Sequence, residues 1–367
     1  MMKMTEPITF RRGLTLKNRI VMAPMTVKMS FYDGIVTDDE IAYYQMRAGA
    51  IGAIITGAAN VQPNGKGWEG ELGVDDDKQI PRLAKLASAI QTNGTKAILQ
   101  IFHAGRMTDS SVLRGKTPVS ASAVPTHKEW GEVPREMSHE EILAVIDNYA
   151  KATRRAIQAG FDGVELHGAN LYLIQQFFSP HSNIREDMWG GSLEKRYTFI
   201  DQVVSAVTKV VDDSEVENFI VGFRFSPEEF TEPGIRFTDA LYLVDQLADT
   251  SLDYLHVSLR DYQKKPELPA YQEKTIVEYL AEKIAGRIPL IGVGEVTTQE
   301  DAEKLLTTAD IAALGKILLS EPNWYNKVIH QQEDLIRHKI SSYDREELHI
   351  SNGAWGFLID RMADRID

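Results

Sequence analysis

The sequence predicts an α/β protein built as a single (β/α)8 barrel, and three observations carry that expectation. Eight short apolar, β-branched runs recur along the 367 residues, separated by amphipathic or polar stretches. The runs are nearly continuous in apolar residues rather than alternating, as parallel strands buried on both faces are. The first run is followed by "MAPMTVKMS", which lacks the glycine fingerprint that opens a doubly wound dinucleotide sheet. No linker, repeat or shift of composition divides the chain, so residues 1–367 are expected to form one domain, with 332–367 as a C-terminal extension.

In chain order, residues 7–16 read as a small hairpin closing the barrel floor. The eight strands are expected at 19–24, 53–61, 96–102, 161–168, 219–226, 252–258, 288–294 and 310–315. Helical periodicity fills the intervals, as in "PRLAKLASAIQTNG" and "HEEILAVIDNYAKATRRAIQAG". The second of these ends at Gly160, a residue suited to a left-handed C-cap. Residues 104–137, with Pro118, Pro125 and Pro134 among serines and threonines, read as a long loop after the third strand. The extension ends in "SNGAWGFLIDRMADRID". There Trp355 is expected to pack on its own barrel, with a reach into a neighbouring subunit as the alternative.

Hydrophobic residues make up 43% of the chain and charged residues 25%, which permits a sizeable core. The formal net charge of -13 argues against a nucleic-acid partner, because phosphate-backbone binders present a basic face. No apolar run nears the ~20 residues of a membrane span. The start "MMKMTEPITFRRG" lacks the apolar core of a signal peptide. The expectation is a soluble cytoplasmic protein with neither a nucleic-acid nor a membrane partner. There is no cysteine, which excludes disulfides, thiolate nucleophiles and cysteine-ligated iron–sulfur clusters. The nine histidines contain no HxxxH or HExxH pairing, so no metal site is expected. Redox chemistry in such a chain would ride on a bound organic cofactor.

In a (β/α)8 barrel the chemistry lies at the carboxyl ends of the strands. Those ends carry Pro24, Met25 and Thr26, then Ala58, then Gln100 with His103. They continue with His167 and Asn170, Arg224, Ser258, Gly292 with Gly294, and Gly315 with Lys316. His167 and Asn170 sit where "VELHGANLYLIQQF" (164–177) turns from strand to helix. A helix cap by Asn170 and a local backbone bond from His167 are the simple account of the pair. Gly292, Gly294, Gly315 and Lys316 combine close backbone approach, helix N–H groups and positive charge at the usual phosphate-binding end of such barrels. The residues alone thus support an enzyme that binds a phosphorylated ligand, with amide donors and one arginine around the ligand's other end.

Residues 171–196, "LYLIQQFFSPHSNIREDMWGGSLEKR", resemble the signature of the old yellow enzyme family of FMN-dependent ene-reductases. Phe178-Ser179-Pro180, Asn183, Arg185, Asp187, Trp189, Gly190-Gly191-Ser192, Glu194 and Arg196 match in order and spacing. "APMT" (23–26), "LQIFHAGR" (99–106) and "ELHGANLYL" (165–173) are similar to the same family. The resemblance runs over most of the chain and is nearest to the bacterial NADH-dependent flavin oxidoreductases.

The resemblance implies FMN in the barrel and NADH or NADPH as reductant. The substrate it implies is a small electrophilic alkene, an α,β-unsaturated carbonyl or nitro compound, reduced by ping-pong hydride transfer. Thr26, beside Pro24 and Met25, would meet the flavin O4 edge near N5, and Ala58 the same edge through its backbone. Gln100 would bond the pyrimidine ring, Arg224 would stand by N1 and the C2 carbonyl, and Gly292, Gly294, Gly315 and Lys316 would hold the phosphate. A cation beside N1 stabilises the anionic reduced flavin, and an amide can both donate to and accept from the pyrimidine edge. By the same resemblance His167 and Asn170 would bracket the substrate's carbonyl oxygen, and Tyr172 would be the proton donor.

The chain also departs from the family pattern. Lys316 stands where arginine is usual, which gives a point charge in place of a bidentate fork. Thr26 replaces a cysteine, Phe102 a tryptophan and Lys28 a tyrosine of related branches, and Lys195 a frequent asparagine. Three other readings stay open: an NADH oxidase passing electrons mainly to oxygen, a non-redox lyase or isomerase using the phosphate site, and a non-enzymatic flavin-binding or interaction protein, against which the joint presence of His167, Asn170 and Tyr172 weighs. The physiological substrate, the choice between NADH and NADPH, and whether the chain forms a homo-oligomer are equally open.

Overall fold

The computed structural model describes residues 2–367; Met1 of the expected domain lies outside them. Eight parallel strands close on themselves: β1 (Ile20–Met22), β2 (Ala53–Ile55), β3 (Lys96–Phe102), β4 (Gly163–Gly168), β5 (Ile220–Phe225), β6 (Tyr254–Val257), β7 (Leu290–Val293) and β8 (Ile311–Leu314). Closure comes where Ala312, Ala313 and Leu314 pair with Ile20, Val21 and Met22. Each of the eight expected runs contains one of these strands. The second breaks after Ile55 and resumes as Ala59–Asn60, which pairs with the end of β3.

Helices α1 (Asp38–Arg47), α2 (Ile80–Ile90), α3 (His139–Gln158), α4 (Leu193–Asp212), α5 (Phe237–Ala248), α6 (Ile276–Ile284), α7 (Gln299–Leu306) and α8 (Trp324–Ile329) follow the strands. Their ends are written locally. At α3, Ser138 accepts from the Glu141 backbone and Glu141 reaches back to Ser138, a reciprocal cap whose serine contributes about 1 kcal/mol. The helix stops before Gly160, whose φ of +79° suits a residue without a Cβ.

The expected hairpin is present, with Ile8 and Thr9 paired antiparallel to Leu16 and Thr15. Phe10, Leu14 and Leu16 enter the barrel from below and pack on Ile55, Ile98, Ile220, Tyr254 and Ile291. The interior of the lower barrel is therefore apolar and filled.

The loop at 104–137 carries a short parallel pairing of Val119–Ser120 with Arg135–Glu136. Arg185 fastens it: Nη1 donates to the carbonyls of Ala121 at 3.0 Å and Met137 at 2.8 Å. Asp187 accepts from Arg185 Nη2 at 2.6 Å. Asn183 Nδ2 donates to the carbonyls of Phe177 and Trp189. These members of the 178–196 stretch are scaffold, holding the loop beside the strand ends. Trp355, on the helix Asn352–Arg361, packs against its own chain's core under the Arg345 guanidinium.

On α1, Glu40 is fully buried and accepts from Ser30 Oγ at 2.5 Å. Burial pushes its carboxyl up from 4.5 to about 7, against the opposing effect of the Ser30 bond. The folded state thus holds the proton more tightly than the unfolded chain. Glu40's contribution is full below the unfolded pKa and is lost as pH rises through the folded one, by up to about 3 kcal/mol. Glu40→Gln should therefore raise stability at pH 8 and change it little at acidic pH, as read by urea unfolding. An equal effect at both pH values would contradict this.

Candidate active site

Strand register assembles the polar upper barrel. His167 on β4 is the partner of Arg224 on β5, which is the partner of His256 on β6. Two residues before His167, Glu165 lies opposite Gln100 on β3. Side chains two apart on a strand share a face, so Glu165 and His167 both point inward. Glu165 is fully buried and accepts from Gln100 Nε2 at 2.7 Å, His256 Nδ1 at 2.9 Å and Tyr254 Oη at 3.1 Å. Tyr254 fits because position 222 is glycine: a Cβ there would lie 2.0 Å from the phenol ring.

Burial opposes ionisation of Glu165, but the charge and hydrogen bond of His256, the Arg224 charge and the Gln100 amide outweigh it. The carboxyl stays below its ordinary range. Burial, reinforced by Arg224, lowers His256 in spite of Glu165, and His256 donates its Nδ1–H to Glu165. Burial, followed by the charges of Arg224 and His256, drives His167 well below the usual imidazole range. His167 Nδ1 accepts from the Ala169 backbone at 3.4 Å, which puts the ring proton on Nε2. His167 is thus a neutral donor at physiological pH.

A second chain of bonds leads outward from Arg224. Its Nη1 donates to the Pro24 carbonyl at 3.4 Å and its Nη2 to Ser258 Oγ at 3.1 Å. Ser258 Oγ donates in turn to Asn170 Oδ1 at 3.2 Å. Asn170 caps no helix. The helix Leu173–Phe178 has Tyr172 at its N-cap with no side-chain cap bond, and Asn170 stands outside it at φ +58°. Tyr172 meets Phe102 and His167 edge-on, each at 4.9 Å between ring centroids, with Trp68 beside it. Ala58 joins Phe102 and Ala104 in the same small apolar cluster. Met25 bridges two strand ends: its carbonyl is 2.8 Å from where a Cβ on Gly57 would lie, and its Sδ is 3.8 Å from the same point on Gly315. Thr26 borders a narrow gap against Tyr43, Leu319 and Leu358.

Gly294, Gly315 and Lys316 line a cavity of about 660 Å³ at the ends of β7 and β8, within the range of cofactor sites. Gly292 does not belong with them. A Cβ on it would lie 2.6 Å from Leu305 Cδ1 on α7, so its glycine serves helix packing. The helix beyond Lys316 is a single turn, Ile317–Ser320. Lys316 Nζ lies 3.3 Å from Glu295 and 3.5 Å from Asp364. His103 is packed rather than lining: it is fully buried against Gly65, accepts from the Gly105 backbone, and is pushed down to about 3 by burial.

Sequence reasoning passed over Glu165, His256, Glu295 and the tail residues Asp364 and Arg365, which also line the cavity. The signal for Glu165 was a charge inside the apolar run "FDGVELHG". The tail offered no such signal.

A family model described as the NADH:flavin oxidoreductase / NADH oxidase family matches residues 3–334. The chain belongs to this family, that of the old yellow enzymes. It is 46% identical over 90% of its length to an NADH:acrylate oxidoreductase of Vibrio harveyi, and 41% over 98% to an NADH:fumarate oxidoreductase of Klebsiella pneumoniae (strain 342). It spans only 34% and 39% of those two proteins. It is also 40% identical to a probable NADH-dependent flavin oxidoreductase, YqiG, of Bacillus subtilis (strain 168), covering 98% of this chain and 96% of that one. Among solved structures, morphinone reductase in complex with tetrahydroNAD is similar at 28% identity and TM-score 0.76, over 90% of this chain and 91% of that one. The old yellow enzyme homologue from Zymomonas mobilis is similar at 27% identity and TM-score 0.77, over 90% and 93%.

Old yellow enzymes carry FMN and draw electrons from NADH or NADPH, which sets aside the non-redox lyase or isomerase. The residues fit that cofactor. Arg224 Nε and His256 Nε2 are buried without a hydrogen-bond partner among the described residues. Gln100, its Nε2 committed to Glu165, has an acceptor oxygen to offer a ring N–H, and the cavity at Lys316 suits a phosphate.

Removing Glu165 strips three buried donors of their acceptor. Glu165→Leu should cost about 3 kcal/mol or more in urea unfolding, with Glu165→Gln clearly milder. Equal losses would mean that shape, not hydrogen bonding, is what Glu165 provides.

Proposed function

We propose that this old yellow enzyme is an NAD(P)H-dependent reductase of activated C=C bonds, in α,β-unsaturated carbonyl or nitro compounds. The observation that carries the reading is the joint placement of His167 and Tyr172 edge-on at 4.9 Å, with Asn170 tied to Arg224 through Ser258. FMN, when bound, supplies the two-electron relay between nicotinamide and alkene. The protein's part is to bind, orient and protonate. His167 Nε2 and the Asn170 amide donate to the substrate's carbonyl or nitro oxygen, and both bonds strengthen as that oxygen gains negative charge. Tyr172 delivers the proton to the carbon α to the activating group. Phe102 and Trp68 shape the apolar side of the mouth around Tyr172. Pro24, Met25, Thr26, Ala58, Gln100 and Arg224 are the proposed flavin contacts, and Gly294, Gly315 and Lys316 the phosphate contacts.

The test is anaerobic reduction of the protein's flavin absorbance by NADH, then its recovery with 2-cyclohexenone. Recovery only on admitting oxygen would favour the oxidase that the family description also names. A protein that neither contains nor takes up flavin would overturn the reading.

Tyr172→Phe is expected to slow the enone step by about 10²-fold or more and to leave NADH reduction within a few-fold. His167→Ala should cost about 10²–10³ in the enone step. Because His167 is already neutral, the parent's enone rate should show no imidazole inflection between about pH 6 and 8. Stopped-flow traces of the two half-reactions separate these effects. A Tyr172→Phe protein with unchanged enone kinetics would remove the proton-donor role.

A further inference from the structure

The ends of β7 and β8 hold more charge than a simple phosphate site requires. Three cations, Arg260, Lys316 and Arg365, and three carboxylates, Asp261, Glu295 and Asp364, line one cavity. Glu295 is shared: Oε1 lies 3.3 Å from Lys316 Nζ, and Oε2 accepts from Arg365 Nη2. Asp364 Oδ2 is 3.5 Å from Lys316 Nζ and 3.6 Å from Arg365 Nε. Arg365 Nε itself is buried without a hydrogen-bond partner among the described residues, and only 17% of the side chain is exposed.

The tail that carries Arg365 is tied down on both sides. Ile340 N donates to the Arg365 carbonyl at 2.9 Å, and Asp367 N donates to the Ile340 carbonyl at 3.0 Å. Met362 and Ile366 pack against the main core. Across the cavity, Glu295 follows Gly294 and sits at φ +48°. A side chain is uncommon at that φ, and here its carboxylate is laid across the two cations.

We infer that the chain's own C-terminal tail closes the phosphate end of the FMN site. Arg365 joins Lys316 in binding the phosphate monoester dianion, and Glu295 is the internal counter-ion that both cations exchange for it. The inference rests on the proposed placement of the phosphate at Gly294, Gly315 and Lys316. A guanidinium offers the two-pronged donor that a lysine cannot, so Arg365 supplies the fork that Lys316 lacks. Glu295 is 43% exposed, and its release toward water costs little. Cofactor binding and tail docking are then linked: whatever holds the tail in place tightens FMN.

The experiment uses the full chain, freed of flavin, and measures Kd for FMN and for riboflavin by quenching of flavin fluorescence. Arg365→Met should weaken FMN by about tenfold or more and leave riboflavin within about twofold. Glu295→Gln should tighten FMN a few-fold and leave riboflavin unchanged. Inorganic phosphate should slow amide exchange in residues 362–367 of the parent and not of Arg365→Met. If Lys316→Met weakens FMN selectively and Arg365→Met does not, the tail inference is overturned and the phosphate placement stands. If neither changes the FMN-to-riboflavin ratio, the phosphate placement itself fails. If Arg365→Met weakens both flavins alike, Arg365 only holds the tail together, and the inference is again overturned. Should that variant not fold, Glu295→Gln decides: no selective gain for FMN refutes the exchange.

Discussion

A carboxylate sealed inside a barrel has to be matched by donors, and Glu165 imposes that demand on its neighbours. An unpaired charge there would cost several kcal/mol. Gln100, Tyr254 and His256 must all reach it, which fixes side chains on β3 and β6 around β4. The requirement extends to a residue that makes no bond at all, since Gly222 exists to let the Tyr254 ring pass. With its acceptor sites engaged, Glu165 also steadies the charge of Arg224 at low dielectric. The polar upper half of the barrel is thus one interdependent set rather than a ring of separate residues.

The C-terminal extension takes up two positions at which the chain departs from the family's usual pattern. Lys28, at φ +50°, places its ammonium 5.2 Å from the centre of the Phe357 ring. Lys316 pairs with Asp364. Both lysines therefore face the extension, and their long stems and point charges suit that role better than a tyrosine or a bidentate arginine. The matched stretch at 178–196 acts differently. Arg185 Nη1 and Asn183 Nδ2 donate to backbone carbonyls of neighbouring segments.

The barrel was legible because parallel strands covered on both faces must be apolar throughout, and all eight such runs contain a strand. The strand ends were legible for the same reason: a polar residue finishing an apolar run stands out. What lay beyond reach was partnership. Gly292 and Gly294 are alike in sequence, and only the fold separates the one that admits Leu305 from the one that borders a cavity. Asn170 has the chemistry of a cap, but its positive φ and its bond from Ser258 put it to another use. The tail beside Arg365 is held by a parallel bridge between Ile340 and Ile366, a contact that no periodicity announces.

The filled floor has a kinetic meaning. Phe10, Leu14 and Leu16 stop the barrel from below and Tyr254 packs above them, so a flavin held at the strand ends, as proposed, would be approached from the open end alone. In the proposed cycle, electron donor and electron acceptor must queue for the same doorway. Each is then a dead-end occupant for the half-reaction that needs the other, and throughput should peak at an intermediate ratio of the two.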